Sequence, residues 1–103
     1  MGAGGVIIPP AGYFEKIRSV LEKYDVLLVA DEVICGFGRT GNMWGSQTMD
    51  VRPDILTCAK ALSSAYLPIS AVMISDKIYA PLAEQAEKLG IFGHGYTLSL
   101  IHI

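Results

Sequence analysis

The sequence lacks both a basic stripe and a long apolar run. Its eight lysines and arginines are scattered along a 103-residue chain of formal net charge −2, which argues against a nucleic-acid partner. The apolar runs, such as residues 26–30, are far shorter than the roughly 20 residues of a membrane span, and no basic region precedes an apolar core at the N-terminus. We therefore expect a soluble, cytoplasmic protein that binds neither nucleic acid nor membrane.

Cysteine is scarce, and its spacing does not indicate metal chemistry. Cys35 and Cys58 do not form a CxxC pair, and each lies beside an expected strand end. Free thiols in a reducing cytoplasm explain both residues better than a redox or metal-binding role does. We expect no metal site.

The distribution of apolar residues predicts an α/β fold. A content of 51% hydrophobic and 17% charged residues is typical of a globular chain of at most one domain. Spacing and composition predict, in order, helix 13–24, strand 26–30, loop 36–50, strands 54–59 and 70–75, and helix 78–89 with Pro81 in its first turn. The unalternated run 26–30 indicates a strand buried on both faces of a parallel sheet. Because these few elements cannot cover both faces, we expect the chain to be the central part of a larger domain.

An acidic pair follows the first expected strand. Asp31 and Glu32 come after five apolar residues, so at least one carboxylate should lie at the carboxyl edge of the sheet, where open α/β sheets bind ligands. A buried carboxylate needs a compensating partner, and a protonated heteroaromatic nitrogen would provide one. Capping of the next turn by Asp31, or its pairing with Arg39, explains the residue equally well.

Lys60 ends the second expected strand at the same edge. A lysine that is partly desolvated there becomes a nucleophilic amine suited to Schiff-base chemistry, although a lone lysine more often extends its charged end into water. Asp31 and Lys60 are more informative together, since they lie 29 residues apart with a glycine-rich loop between them. A pyridinium cofactor uses both groups, because the amine captures its aldehyde and the carboxylate keeps its ring nitrogen protonated.

Two long motifs resemble one enzyme family. The runs LLVADEVICGFGRTG at residues 27–41 and PDILTCAKALSSAYLPISAV at residues 53–72 closely resemble the class III aminotransferases, fold-type I enzymes that use pyridoxal 5'-phosphate. The segments GAGGVIIPPAGYFEKIR at 2–18 and FGHGYT at 92–97 resemble the sequences that flank these motifs in the family. The joint match, in the right order, is highly specific. It implies that residues 1–97 form part of the large, mainly parallel-sheet, cofactor-binding domain.

The resemblance also implies roles for four residues. Asp31 becomes the partner of the pyridine nitrogen, and Val33 becomes an apolar contact against one face of the ring. Lys60 becomes the Schiff-base lysine, which then shuttles a proton between the substrate carbon and the cofactor. Thr97 matches a threonine that reaches the phosphate of the neighbouring subunit's cofactor, which implies a homodimer.

Other residues carry weaker expectations. Arg39, Trp44 and Tyr66 are candidates for shaping the pocket, although packing explains an aromatic residue in a glycine-rich loop equally well, and His94 fits a turn better than an acid or base. The family's small N-terminal domain, its phosphate-binding turn and its C-terminal domain are not matched by the sequence. Residues 98–103 depart from the family pattern, and we interpret them as a tail produced by a reading-frame slip or truncation.

The expected activity is transamination, in which an amino group moves from an amine or amino acid to a 2-oxo acid. A related pyridoxal-phosphate aminomutase, racemase or decarboxylase is the first alternative, because such enzymes share both motifs. A nucleotide-binding α/β module with residues 2–5 as a phosphate cradle is a remote alternative, since GAGG lacks the final glycine of GxGxxG and no apolar strand precedes it. We expect the isolated chain to be inactive.

Overall fold

Helices and strands follow one another along the chain. The computed structural model of the protein describes residues 4–92. In chain order it contains α1 (Tyr13–Lys23), β1 (Val29–Asp31), α2 (Gly45–Thr48), β2 (Ile55–Cys58), a 3-10 helix (Lys60–Leu62), β3 (Ala71–Ile74) and α3 (Asp76–Leu89). None of the helices in this part of the chain is long and apolar enough to cross a membrane.

The three strands form one sheet in the order β1-β2-β3. β1 runs parallel to β2, with Val29 opposite Ile55 and Asp31 opposite Thr57. β3 runs antiparallel to β2, with Ile74 opposite Ile55. The prediction of an α/β fold is confirmed, and the sheet combines one parallel pair of strands with one antiparallel pair.

β1 is shorter than the apolar run that predicts it. The prediction of a strand over residues 26–30 is wrong at both ends, because β1 begins at Val29 and ends at Asp31. The Val26 N–H donates to a carbonyl of the last turn of α1 at 2.9 Å, and the Leu28 N–H donates to the Asp54 carboxylate at 2.8 Å. Val29 is 56% exposed, so the expected burial on both faces of the strand does not occur in this chain.

α1 is the amphipathic helix that the apolar spacing predicts, and it is one residue shorter. The chain enters the helix through Gly12, whose φ of 77° lies in the left-handed region that favours glycine. The Tyr13 N–H then donates to the Pro10 carbonyl at 3.2 Å. No residue of α1 is fully buried, and Phe14, Ile17 and Leu21 of its apolar face are half-buried, so the described residues cover this face only in part.

α3 begins two residues before the predicted helix. The apolar periodicity begins only at Ile78, so it does not predict the two polar residues that open the helix. The first of them, Asp76, places a favourable negative charge near the positive end of the helix dipole. The prediction that Pro81 lies in the first turn is wrong, because this earlier start places it in the second turn. There it has no N–H to donate to the Lys77 carbonyl. The helix ends at Leu89, and the next residue, Gly90, has a φ of 72°, which is typical of a residue that terminates a helix.

The apolar core of the described chain is small. Its buried apolar side chains are Leu56 and Cys58, both on the central strand β2. Large apolar side chains are exposed on α1 and on both outer strands, for example Val20 at 53% and Val72 at 65%. The described chain therefore leaves much of its apolar surface uncovered.

An exposed ion pair joins the segment after α1 to the start of α3. Lys77 Nζ lies 2.9 Å from Asp25 Oδ1. This hydrogen bond, together with the charge of Lys77, holds the pKa of Asp25 below its ordinary value, and the same bond raises the pKa of Lys77. The stability that Asp25 contributes is present above the ordinary aspartate pKa and is lost as the pH falls through the lowered value. Because solvent and salt screen this exposed pair, its contribution is small.

We expect the isolated chain to aggregate and to bind a hydrophobic dye, because α1 and the outer strands expose apolar surface. Size-exclusion chromatography and the fluorescence of anilinonaphthalene sulfonate measure these two properties. Val72→Thr should reduce dye binding and keep the sheet, whereas Leu56→Thr at the buried position should remove the folded signal in circular dichroism. A monomeric chain that melts cooperatively and binds no dye would contradict this expectation.

Candidate functional site

The candidate site is a cavity at the carboxyl ends of β1 and β2. Because these strands are parallel, their carboxyl ends meet at one edge of the sheet, where Asp31 ends β1 opposite Thr57. Lys60 follows the end of β2 by two residues. Asp31, Val33 and Lys60 all line one cavity of about 580 Å³, which is a typical size for a small-molecule site. The fold therefore brings the acid and the lysine to the same cavity.

Asp31 is exposed, and one of its carboxylate oxygens makes a local contact. Oδ1 accepts a hydrogen bond from the N–H of Val33 at 3.0 Å, as the turn-capping alternative predicts. Among residues 4–92 no ion pair joins Asp31 to Arg39, whose Nε donates to the Ile34 carbonyl at 2.9 Å. Oδ2 of Asp31 has no hydrogen bond to residues 4–92, so this oxygen is available to a ligand.

Lys60 lies outside the strand and in the left-handed region of backbone conformation. The prediction that it ends β2 is wrong, since β2 ends at Cys58 and Lys60 begins the 3-10 helix. Its φ is 47°, a conformation that costs a non-glycine residue roughly 1–2 kcal/mol. Its side chain is exposed, so the described residues do not bury it and the expected partial desolvation is not seen. Six other non-glycine residues of the described chain also have positive φ, so the shared cavity, and not the backbone conformation, is what marks Lys60 as a candidate.

Glu32 is a site residue whose role the sequence reasoning missed. It is only 3% exposed, whereas the neighbouring Asp31 is exposed. Its Oε2 accepts the N–H of Gly45 at 2.9 Å and its Oε1 accepts the N–H of Ser46 at 2.6 Å. These two residues begin α2, and the first N–H groups of a helix have no partner inside the helix. The available signal was the apolar sequence on both sides of the acidic pair, because a carboxylate in that context must be hydrogen-bonded.

The loop that joins β1 to α2 is closely packed around Glu32. A Cβ atom at Gly45 would lie 2.7 Å from the Cβ of Cys35. A Cβ atom at Gly36 would lie 2.8 Å from the Glu32 carbonyl oxygen and 2.9 Å from the ring of Trp44. Since real Cβ atoms do not approach other atoms this closely, both positions require glycine.

Three other candidates from the sequence do not line the cavity. Trp44 packs edge-on against Phe37, with ring centroids 5.0 Å apart. Arg39 hydrogen-bonds within its own loop, and Tyr66 is 88% exposed. Packing and exposure therefore describe these three residues better than a role in shaping the pocket does.

The remaining sequence predictions concern the cysteines and the C-terminal part of the chain. Cys35 and Cys58 are free thiols, as predicted, and Cys58 is buried. Thr97 and His94 lie outside the residues that the structure describes. Their expected roles stay predictions.

Known proteins resemble this chain over nearly its whole length. The family model described as aminotransferase class-III matches residues 1–99. The chain is 58% identical to gamma aminobutyrate transaminase 1, mitochondrial, of Solanum lycopersicum, over 96% of this chain and 19% of that protein. It is 52% identical to vanillin aminotransferase of Capsicum chinense, over 96% of this chain and 22% of that protein. The chain thus spans about a fifth of the length of these relatives.

Solved structures of transaminases also resemble the fold of this chain closely. A structure of a transaminase with L-ala superimposes with a TM-score of 0.89 at 62% identity and covers 94% of this chain, which corresponds to 23% of that protein. An omega transaminase from Pseudomonas jessenii in complex with PMP gives the same TM-score, 0.89, at 57% identity, over 94% of this chain and 21% of that protein.

The strained backbone at Lys60 predicts an unusual order of stability among substitutions. In a full-length protein that carries this segment, Lys60→Gly should be more stable than Lys60→Ala by about 0.5–1 kcal/mol, because glycine adopts positive φ without a steric penalty. Urea unfolding without added cofactor measures the difference. Ala61→Gly, at the next position and without a positive φ, is the control and should lower stability. Equal stability of the two Lys60 variants would show that the backbone there is not strained.

Proposed function

This chain belongs to the class-III aminotransferase family, and on that basis we propose that the protein containing it moves an amino group from an amine or amino acid to a 2-oxo acid. The observation that carries the proposal is the single cavity lined by Asp31, Val33 and Lys60 at the ends of two parallel strands. We further propose that residues 1–97 belong to the large cofactor-binding domain of that protein.

Class-III aminotransferases are pyridoxal-phosphate enzymes, and the residues at the cavity fit this cofactor. A primary amine and a carboxylate line the same cavity, and these are the two groups that an aldehyde-bearing pyridine needs. One oxygen of the Asp31 carboxylate is free of other described partners, which supports its assignment to an external ligand. The pyridine ring, when bound, supplies an electron sink that stabilises negative charge at the substrate carbon.

Each cavity residue has a distinct role in this proposal. Lys60 would hold the cofactor through Nζ, and the same amine would be the group that moves a proton at the substrate carbon. The carboxylate of Asp31 would keep a proton on the ring nitrogen through a charge-assisted hydrogen bond. Val33, which is half-buried beside Asp31, would supply an apolar contact to one face of the ring. The exposed position of Lys60 leaves its amine accessible to an incoming aldehyde.

The alternatives are less well supported. The relatives and structures with the same fold are named transaminases or aminotransferases, which favours transamination over an aminomutase, racemase or decarboxylase activity. A nucleotide-binding module has no such support. The names of the relatives refer to different compounds, gamma aminobutyrate and vanillin. We therefore propose the amino donor only as a class, an amine or amino acid.

We also propose that the full-length protein is a homodimer in which Thr97 reaches the phosphate of the neighbouring subunit's cofactor. The support is the likeness of the HGYT segment, residues 94–97, to the family's sequence. A cytoplasmic location stays a prediction.

Covalent labelling tests the central assignment. Borohydride reduction of the full-length protein after incubation with pyridoxal phosphate should attach a pyridoxyl group to Lys60, because its amine lines the cavity. Peptide mapping by mass spectrometry identifies the labelled residue. Lys60→Arg keeps the charge and should abolish the label. Label on the other lysines of the chain in place of Lys60 would overturn the assignment; these are Lys16, Lys23, Lys77 and Lys88.

A substitution that keeps the local turn tests the role of Asp31. In Asp31→Asn the amide oxygen can still accept the Val33 N–H, so the turn should remain while the charge is lost. The full-length variant should retain some cofactor and lose about 10- to 100-fold in turnover, which corresponds to about 1.5–3 kcal/mol for one charge-assisted hydrogen bond. Glu22→Gln on the exposed side of α1 removes the same charge and should leave turnover unchanged. Unchanged turnover in Asp31→Asn would mean that another group holds the ring nitrogen.

A further inference from the structure

We propose that Glu32 is a positioning residue of the cofactor site, and that its buried carboxylate holds Asp31 in place by anchoring the start of α2. This inference rests on the proposed function, because it concerns how the fold orients the acid assigned to the ring nitrogen. It does not make Glu32 a catalytic residue. Its carboxylate is buried, and both oxygens accept backbone N–H groups, which is the environment of a structural anchor.

The first support is the way the charge of Glu32 is satisfied. Within residues 4–92 no lysine or arginine forms an ion pair with this carboxylate. Its hydrogen-bond partners there are the Gly45 and Ser46 N–H groups, at 2.9 and 2.6 Å. Hydrogen bonds to a carboxylate are about twice as strong as those between neutral groups. A residue thirteen positions before the helix thus caps it more strongly than a neutral local side chain could.

The second support is the backbone of the same residue. The Glu32 N–H donates to the Thr57 carbonyl at 2.8 Å, which extends the pairing of β1 with β2 by one residue. The Glu32 carbonyl accepts the Gly36 N–H at 2.9 Å, which closes the first turn of the loop. Glu32 therefore connects β2, this turn and α2 at once. Any movement of it must also move Asp31 and Val33, its neighbours in the chain.

The third support is the position of this arrangement in the cavity. Glu32, Gly45 and Ser46 line the same cavity as Asp31 and Lys60. An added Cβ atom at Gly45 would lie 3.1 Å from Glu32 Oε2. The hydrogen bonds between Glu32 and the start of α2 therefore have little room to rearrange. The contact between Glu32 and α2 thus forms part of the cavity surface.

The test compares Glu32→Gln with Asp31→Asn in the full-length protein. Glutamine has nearly the same size, but its amide nitrogen would face a backbone N–H, so one of the two hydrogen bonds is lost. The dissociation constant of pyridoxal phosphate, measured by absorbance titration of the apo protein, should rise about tenfold in Glu32→Gln. If Glu32 acts through Asp31, the double variant should bind the cofactor about as weakly as Asp31→Asn does, because effects of coupled residues do not add. Glu22→Gln is the control and should bind it normally.

The outcomes separate this inference from the proposed function. An absence of label on Lys60 in the unsubstituted protein after borohydride reduction would defeat the proposed function and the inference with it. Label on Lys60 together with a normal cofactor affinity in Glu32→Gln, or with effects that multiply in the double variant, would overturn the role of Glu32 alone.

A measurement on the unsubstituted protein decides the question if Glu32→Gln does not fold. Hydrogen exchange of the peptide containing Gly45 and Ser46 should slow about fivefold or more when pyridoxal phosphate binds, since coupling between two sites is reciprocal. The peptide covering α3, which does not line the cavity, should exchange at an unchanged rate. Equal exchange of the α2 peptide with and without the cofactor would overturn the proposal.

Discussion

The parallel pairing of β1 with β2 is the constraint on which the candidate site depends. Three groups fix its register: the Leu28 carbonyl accepts the N–H groups of Asp54 and Ile55, the Asp54 carboxylate accepts the Leu28 N–H, and the Glu32 N–H reaches Thr57. A shift of one residue would turn every side chain of the strand to the opposite face. The carboxylate of Asp31 would then leave the cavity that it shares with the lysine. The correct register is therefore a condition for chemistry as well as for stability.

Parallel strands require a long connection, and here the connection carries much of the site. The segment between β1 and β2 contains Val33, the two glycines that allow close packing, and α2. Its start is held by Glu32, and its end by the bond between Asp54 and Leu28. The connection is thus tied to the sheet at both ends, so residues in a loop can contribute to a cavity of defined shape. The tightly packed glycines are a requirement of this arrangement.

The sequence was sufficient for the parts of the fold that depend on local pattern. The periodicity of α1, the two apolar runs and the acid and lysine that follow them predicted the α/β fold and the shared edge. The apolar residues around Glu32 indicate that its carboxylate must be hydrogen-bonded, but they do not identify its partners, because the path of a loop thirteen residues long sets them. The positive φ of Lys60 likewise has no signature in a lysine side chain. α2 is only four residues long and too short to show periodicity, and the start of β1 is set by a side-chain contact from Asp54, the residue before β2.

The two strand pairings of the sheet differ in the length of chain that they close. Cys58 and Ala71, which pair across β2 and β3, are 13 residues apart, whereas Val29 and Ile55 of the parallel pair are 26 residues apart. The entropy of loop closure grows slowly with length, and a doubling costs about 0.6 kcal/mol. Lys60 lies in the shorter segment, which the pairing of β2 with β3 closes. Asp31 belongs to β1, which pairs only with β2 among the described strands and therefore depends on the longer segment. The two halves of the site therefore differ in the conformational entropy that the chain loses to form them.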